Sequence, residues 1–558
     1  MPGSTAIRAG STIKKSHANF YRAFHDYFVT HLPSSSLHPD SRSSSGPHHQ
    51  FPRSASKPHT PGEGPSPAPL LGGARDTTVV RIPLRSAKHH FGVSLSRGTR
   101  PYNEDTYQAG VIELPAFAKP RPLNLKSRAP ANSPLEAYRE GQKKQQEQQS
   151  KGEGDGEGTS AESANGDPQV FYFGVFDGHG GSECSDYLRE KLHEGIEETA
   201  RKYGLASTLH GKVDQDAAVR RESGTSSTDG RGQTAAASLD SNDASSDPCI
   251  SRASTLQTNL IQSWKRTVGG YFRRFKPSAF ASPPEKPTIR TILTHAFLQT
   301  DLSFLLAQIR LSSDDTDPVR SDAPLNANDR LYSPSHFPSS DPQIKKPFIG
   351  GSTASIALLS TPTPTPFWHP STPSTLYTAH CGDTRIILSR VSDGAAIPLT
   401  TDHHPSSPSE SERLRKWSTS FVTDSFGEER MSGLANTRAF GDMSSKRMGV
   451  SAEPEIRCLE LGPSEYAFLV LVSDGVTGSV ADQEVVDLVK ESKTPEIGAR
   501  EVVGFANEVS REGDNATALV VRLGGWERRS EGGGGSMRTK EAREWRRKEA
   551  MNPRGRMI

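Results

Sequence analysis

Residues 170–181 read VFYFGVFDGHGG. The run from Val170 to Phe176 has strand length, is too short for an ordinary helix, and carries no polar residue, so it is expected to be a strand buried on both faces. It stops at Asp177-Gly178, a turn signal, and the turn goes on through His179, Gly180 and Gly181. Most such dipeptides only reverse the chain. Here the missing side chains let a carbonyl and a carboxylate approach one point closely, which a hard divalent cation requires. From average residue usage, a specified DGHGG has a chance on the order of 10⁻⁴ of occurring in a chain of this length.

Three other stretches repeat the theme. SRGTRPYNED (96–105) ends in adjacent carboxylates, Glu104 and Asp105, with Arg100 upstream. Neighbours on an extended chain point to opposite faces, so one can ligate a metal while the other holds a coordinated water. LVLVSDG (469–475) puts Asp474 at the end of a second buried strand, and EGDNAT (512–517) puts Asp514 in a turn before the last strand. Singly, each acid reads as an ordinary turn residue. Together, strand-end carboxylates with no basic run nearby need neutralising, and hard cations with oxygen ligands do that. The sequon at Asn515 falls inside this proposed site, where a glycan would be incompatible with it.

Outward from these motifs, composition marks the boundaries. FGVSLSRG and YQAGVIEL read as short strands. Cys184, Tyr187, Leu188, Leu192 and Ile196 recur at helical spacing over about 182–202, and a second helix runs from Ile289 to about Ile309. Strand-like runs follow at 352–360, 375–390, 456–461, 467–473 and 515–523, with helical patterns at 482–492 and 496–510. Strands mixed with paired helices favour a layered α+β domain. Low-complexity insertions are expected at about 116–168, 203–284 and 312–347, and the GEGDGEG piece of the first lacks the flanking strand and helix of a phosphate loop. Residues 1–75 are expected to be disordered, and 524–558 to be a charged tail whose stretch 527–556 forms a solvated helix rather than a nucleic-acid contact.

Bulk numbers exclude several classes. A net charge of +2 gives no reason to expect a nucleic-acid partner, and with 32% hydrophobic residues much of the 558-residue chain is not packed core. The 4 Cys are scattered without zinc spacing, which fits a reducing compartment. No apolar run reaches the roughly 20 residues of a membrane span. From Met1 to Arg53 the chain is Ser-rich and basic against only Asp26 and Asp40, the composition of an organelle-import peptide or of a biased tail.

The motifs above closely resemble the PPM, or type 2C, metal-dependent protein phosphatases. GGSTAS (350–355), HCGDTR (380–385), LTTDHHPSSPSESERL (399–414), GLANTRAFGDM (433–443) and VSAEPEI (450–456) look like further family segments, in family order over about 88–523 minus the insertions. SFGEERMSGLANTRAFGD and SDGVTGSV look most like the fungal mitochondrial branch, which turns the N-terminal reading toward mitochondrial import. The resemblance implies an α+β fold of two stacked antiparallel sheets flanked by helices. It implies two Mn²⁺ or Mg²⁺ ions bridged by Asp177, with Asp474 and Asp514 completing one site and Glu104 and the Gly178 carbonyl the other. Asp105 matches the acid that holds a metal-bound water, and Asp383 with Asp474 matches the pair for a weaker third ion. A hydroxide bridging the ions would attack phosphorus in line, Arg100 would hold the phosphate, and His179 would protonate the departing Ser or Thr oxygen. Phosphoproteins are then the substrates, with the chain taken as a monomer. Two departures stand out: Val476-Thr477 replace the aromatic common after the SDG turn, and 417–432 diverges from the usual flap. A non-catalytic scaffold of the same fold would have lost metal ligands, whereas each position here holds the expected type, and a nuclease would want a basic groove.

Overall fold

A computed structural model describes residues 27–33, 77–83, 90–118, 170–205, 248–280, 287–311, 347–362, 366–415, 421–423, 429–431, 434–510, 513–531 and 537–551. The chain begins with β1 (Tyr27–Pro33) and β2 (Thr77–Pro83), an antiparallel pair. Next come β3 (Phe91–Ser96), β4 (Thr106–Ile112), β5 (Val170–Phe176) and the two-residue β6 (Gly178–His179). Three helices follow: α1 (Glu183–Lys202), α2 (Pro248–Thr267) and α3 (Ile289–Ile309). The middle of the chain holds β7 (Gly351–Ser352), β8 (Ala354–Ser360), β9 (Ser374–Cys381), β10 (Arg385–Arg390), β11 (Ala396–Pro398) and α4 (Pro408–Arg415). After it come β12 (Phe421–Thr423), β13 (Glu429–Met431), β14 (Phe440–Gly441) and the short α5 (Met443–Lys446). The last elements are β15 (Glu455–Leu461), β16 (Tyr466–Val472), α6 (Asp474–Thr477), α7 (Asp482–Glu491), α8 (Pro495–Val509), β17 (Ala516–Arg522) and α9 (Met537–Ala550).

Two five-stranded antiparallel sheets carry the domain, in the orders β15-β9-β8-β5-β4 and β11-β10-β16-β17-β3. The alternation of β5 shows why its sequence is apolar throughout. Phe171, Phe173 and Val175 face the second sheet and share a buried cluster with Ile386, Leu469, Leu471 and Leu519. Val170, Tyr172 and Phe176 face the other way, onto Leu188, Leu192 and Ile196 of α1 and Ile292 and Ala296 of α3. On the far side of the second sheet, Phe468, Val470 and Val520 pack on Val485, Val489 and Val502 of α7 and α8. The result is the expected layering of helix, sheet, sheet and helix. Thr494 caps α8 by accepting from the Ile497 N–H at 3.3 Å, and Thr288 caps α3 through Thr291 at 3.2 Å.

Register decides where the strand ends fall. Thr106 lies opposite Phe176, and Val472 lies opposite both Ala518 and Arg385. The start of β4 therefore sits beside the end of β5, and the starts of β10 and β17 beside the end of β16. Every motif acid named above occupies one of these ends.

The structure corrects four expectations. Residues 203–284 are not wholly a polar insertion, because α2 and a 3₁₀ turn at Gly270–Arg274 bury Leu260, Trp264, Val268, Phe272 and Phe275. Their spacing is helical, but Ser, Gln and Arg between them mask it. The 375–390 run is two strands, since Gly382 at φ +114 breaks it. Tyr27–Pro33, within the segment expected to be disordered, is β1, a stretch with the aromatic and β-branched residues of strands. The tail helix α9 is docked: Arg543 is buried and pairs with Glu491 at 2.7 Å, while Arg547 pairs with Glu508 at 2.7 Å and lies over the Phe505 ring. Residues 1–26 and 34–53 of the expected import segment, the linker, residues 119–168 and 312–346 of two expected insertions and most of 417–432 lie outside the described residues. Among the described residues, no helix is long and apolar enough to cross a membrane.

A buried ion cluster fixes α4. Glu410 accepts from Arg413 at 2.7 Å, Arg438 at 2.6 Å and the Thr437 hydroxyl at 2.7 Å. Burial alone would raise its pKa, but the two guanidiniums hold it well below the usual carboxylate range. Such a group stabilises the fold above its unfolded pKa of about 4.3, and that contribution is lost as pH falls further toward its folded value. Glu410→Gln is expected to cost about 3–5 kcal/mol at neutral pH in urea unfolding, by stranding two buried cations. The variant should also lose stability less steeply than the parent on acidification below about pH 4.

Candidate metal centre

Asp177, Asp383 and Asp474 converge. Among the described residues, they form a group in which each offers a carboxylate oxygen within 4.8 Å of the others. Asp177 follows β5, with its carbonyl accepting from Thr353 N–H at 2.8 Å and Ser352 Oγ at 2.9 Å. Asp383 sits in the turn between β9 and β10, and Asp474 is the first residue of α6, directly after β16. Residues from both sheets thus meet at one end of the sandwich.

Asp105 ties that end together. At the start of β4 in one sheet, its Oδ2 accepts from Ser473 Oγ at 2.9 Å and Thr517 Oγ1 at 2.7 Å in the other. Asp105 Oδ1, Asp177 Oδ2 and Asp383 Oδ1 are buried without a protein hydrogen-bond partner. Such oxygens are costly unless something outside the protein satisfies them.

The electrostatics agree. Burial, then the charges of Asp474, Asp105 and Asp383, push the Asp177 carboxyl well above its ordinary pKa. Burial and Asp383 push Asp474 up to about 7, and burial pushes Asp105 up to about 6 against its hydroxyl partners. Asp383 goes the other way: burial would raise it, but hydrogen bonds from His404 and Asn436 hold it below its usual value. An oxygen-only donor set of crowded acids with orphaned atoms fits hard divalent cations such as Mn²⁺ or Mg²⁺.

Glu104 and Asp514 lie beside this trio rather than in it. The Glu104 backbone is pinned by Asn515 Oδ1 at 2.8 Å and Ser185 Oγ at 2.5 Å. Gly178 packs against it so closely that a Cβ there would stand 2.6 Å from the Glu104 carbonyl, so only glycine fits. Asp514 holds Arg100, whose Nη2 reaches its Oδ2 at 2.6 Å.

His179 has a partner that sequence reading missed. Its Nε2 lies 2.9 and 3.0 Å from the two oxygens of buried Asp442. Burial would lower the imidazole pKa, but Asp442 outweighs it and pushes the value up to about 9. Asp442 is 263 residues away in a Gly-Asp dipeptide that reads as a turn; its only sequence signal was membership of the GLANTRAFGDM segment. Asn515 was noticed only as a sequon. It is buried, and its Nδ2 donates to the carbonyls of Arg97 at 3.0 Å and Tyr102 at 3.1 Å, organising the 97–104 loop.

Carboxyls whose folded pKa is raised bind protons that the unfolded chain releases at the same pH, so stability falls as pH rises from about 4 toward their folded values. His179 adds the same sign between about 6.5 and 9, because its stabilising charge is lost as pH rises. Thermal unfolding in EDTA should therefore give a lower Tm at about pH 8 than at about pH 5.5, and about 1 mM Mn²⁺ should recover it at the higher pH. A Tm that does not respond to Mn²⁺ would contradict the fit of this site to cations.

Comparison with known proteins agrees with the geometry. A family profile described as Protein phosphatase 2C matches residues 138–245 and 295–514. Protein phosphatase 2C homolog 4 of Schizosaccharomyces pombe is 27% identical over 457 residues, covering 81% of this chain and 84% of that protein. A protein from Xenopus laevis named Protein phosphatase 1K, mitochondrial, is 39% identical over 153 residues, which cover 27% of this chain and 40% of that one. Protein phosphatase 2C homolog 1 of Schizosaccharomyces pombe is 38% identical over 149 residues, 26% of this chain and 40% of the relative. With more than half of its length matched by the profile, the chain belongs to the protein phosphatase 2C family and is a metal-dependent protein serine/threonine phosphatase.

Proposed function

We propose that this chain removes phosphate from phosphoserine and phosphothreonine in proteins using two divalent cations, Mn²⁺ or Mg²⁺, held by Asp177, Asp474, Asp514, Glu104 and the Gly178 carbonyl. Asp383 and Asp474 would take a weaker third. The observation that carries this reading is the meeting of Asp177, Asp383 and Asp474 within 4.8 Å, with buried oxygens left unpartnered. Bound there, a pair of cations supplies Lewis acidity, an acidified water as nucleophile and charge to offset the phosphoryl oxygens.

The chain's own groups do the rest. Arg100 is more than half exposed and held at Nη2 by Asp514, so its planar fork can turn toward a phosphate at the mouth of the site. Asp105, fixed by Ser473 and Thr517, keeps one oxygen free to orient a water. His179, protonated at neutral pH and held through Nε2 by Asp442, has Nδ1–H left to give its proton to the leaving alkoxide. That proton matters for Ser and Thr esters, whose alkoxides are poor leaving groups.

The cellular site is read as mitochondrial. Supporting it are the basic, acid-poor composition of residues 1–53 and the mitochondrial label in the name of the Xenopus relative. Imaging a tagged copy with and without residues 1–75 tests this, and unchanged cytosolic signal in both would remove it.

Three outcomes are expected of the purified chain. EDTA should abolish phosphate release from a phosphothreonine peptide, and Asp474→Asn should retain less than about a hundredth of the activity with Mn²⁺ present while folding normally. Asp442→Asn should drop the imidazole pKa back toward about 6.5, moving the alkaline limb of the kcat profile to lower pH. Full activity in Asp474→Asn, or an unmoved limb in Asp442→Asn, would contradict the respective assignments.

A further inference from the structure

We propose that the stretch 248–280 is a positioning element for His179, acting through the turn that carries Asp442. This inference rests on the proton-donating role given to His179 above. The stretch falls between the two segments matched by the family profile, 138–245 and 295–514. It is nevertheless built into the core. Trp264 on α2 stacks on Phe272 at 4.3 Å, and both share a buried cluster with Leu298 and Leu302 of α3 and with Met443. Met443 is the residue after Asp442.

Contact continues along the turn. The Tyr271 N–H donates to the Arg447 carbonyl at 2.9 Å. Just before it, Gly270 has φ +50, and a Cβ there would stand 2.5 Å from the same carbonyl oxygen. Only a glycine allows the stretch to come this close. On the other side, α3 grips the turn through Asp301, which accepts from Gly441 N–H at 2.9 Å and from the fully buried Lys446 Nζ at 2.6 Å. Between these braces Asp442 adopts φ 44, a left-handed conformation that an aspartate keeps only where its surroundings impose it. Its carboxylate then meets His179 at 2.9 Å. The line of contact from Trp264 and Tyr271 through Met443 and Arg447 to Asp442 ends on the imidazole.

If the stretch positions the proton donor, loosening it should slow only those substrates that need the proton. The full chain is assayed with Mn²⁺ on a phosphothreonine peptide and on p-nitrophenyl phosphate, whose leaving group departs unprotonated. Tyr271→Ala and Gly270→Ala should each lower kcat on the peptide about tenfold and leave p-nitrophenyl phosphate within about twofold, a partial loss of what a general acid supplies. Tyr271→Phe, which keeps the ring, should stay close to the parent. Two disruptive variants are used so that either reads the effect if the other fails to fold. His179→Gln is the reference. If His179→Gln is selective but both variants are unchanged, or lose both substrates equally, the positioning role is overturned and the acid role stands. If His179→Gln itself is unselective, the acid role fails and takes this inference with it.

Discussion

The organisation of this domain turns on mutual repulsion held in place. Asp177, Asp383 and Asp474 bring three carboxylates together at the end of an apolar sandwich, Asp383 buried and the other two half-buried, where water screens them less than in the open. Asp383 has His404 beside it at 3.7 Å, but the two nearby cationic groups at the mouth are engaged elsewhere, Arg100 by Asp514 and His179 by Asp442. The domain tolerates this because strands on every side fix where the chain may go. The seven residues of β5, all buried, leave Asp177 no route away from its neighbours.

That arrangement links fold to chemistry. Antiparallel register sets the ends of β5 and β16 level with the starts of β4, β10 and β17, and Asp105 closes the gap between sheets through Ser473 and Thr517. A slip of one residue in any of these pairings would turn an acid away from the others. Cations held by these acids would turn their mutual repulsion into affinity, so residues that destabilise the fold alone would organise it with metal bound.

How much of this could be read from the sequence depended on whether the signal was local. The apolar run before Asp177 and the one before Asp474 announced buried strands, and an acid at the end of each was enough to suggest where the chemistry sits. The α1, α7 and α8 helices were legible by spacing. What escaped was decided by partners far along the chain. Asp442 reads as a turn residue until His179 is placed against it. Trp264 and Phe272 sit among polar residues, and only the apolar side of α3 that they cover, Leu298, Leu302 and Leu305, explains why they fold inward. Arg543 in the tail looks like solvated charge, yet it is buried because Glu491 waits for it on α7. Glu104 and Asp514, read from the sequence as metal ligands, lie beside the trio: the Glu104 backbone is held by Asn515 and Ser185, and the Asp514 carboxylate pairs with Arg100.

The central claim is that these acids hold a pair of cations close enough to share one reacting oxygen. Electron paramagnetic resonance of the metal-free chain titrated with Mn²⁺ tests it most directly. The account predicts that the first two equivalents bind as an exchange-coupled pair, with the six-line pattern of isolated Mn²⁺ suppressed, as ions about 3.5–4 Å apart require. Independent six-line signals through both equivalents, or the same coupled spectrum from an Asp177→Ala chain, would contradict it.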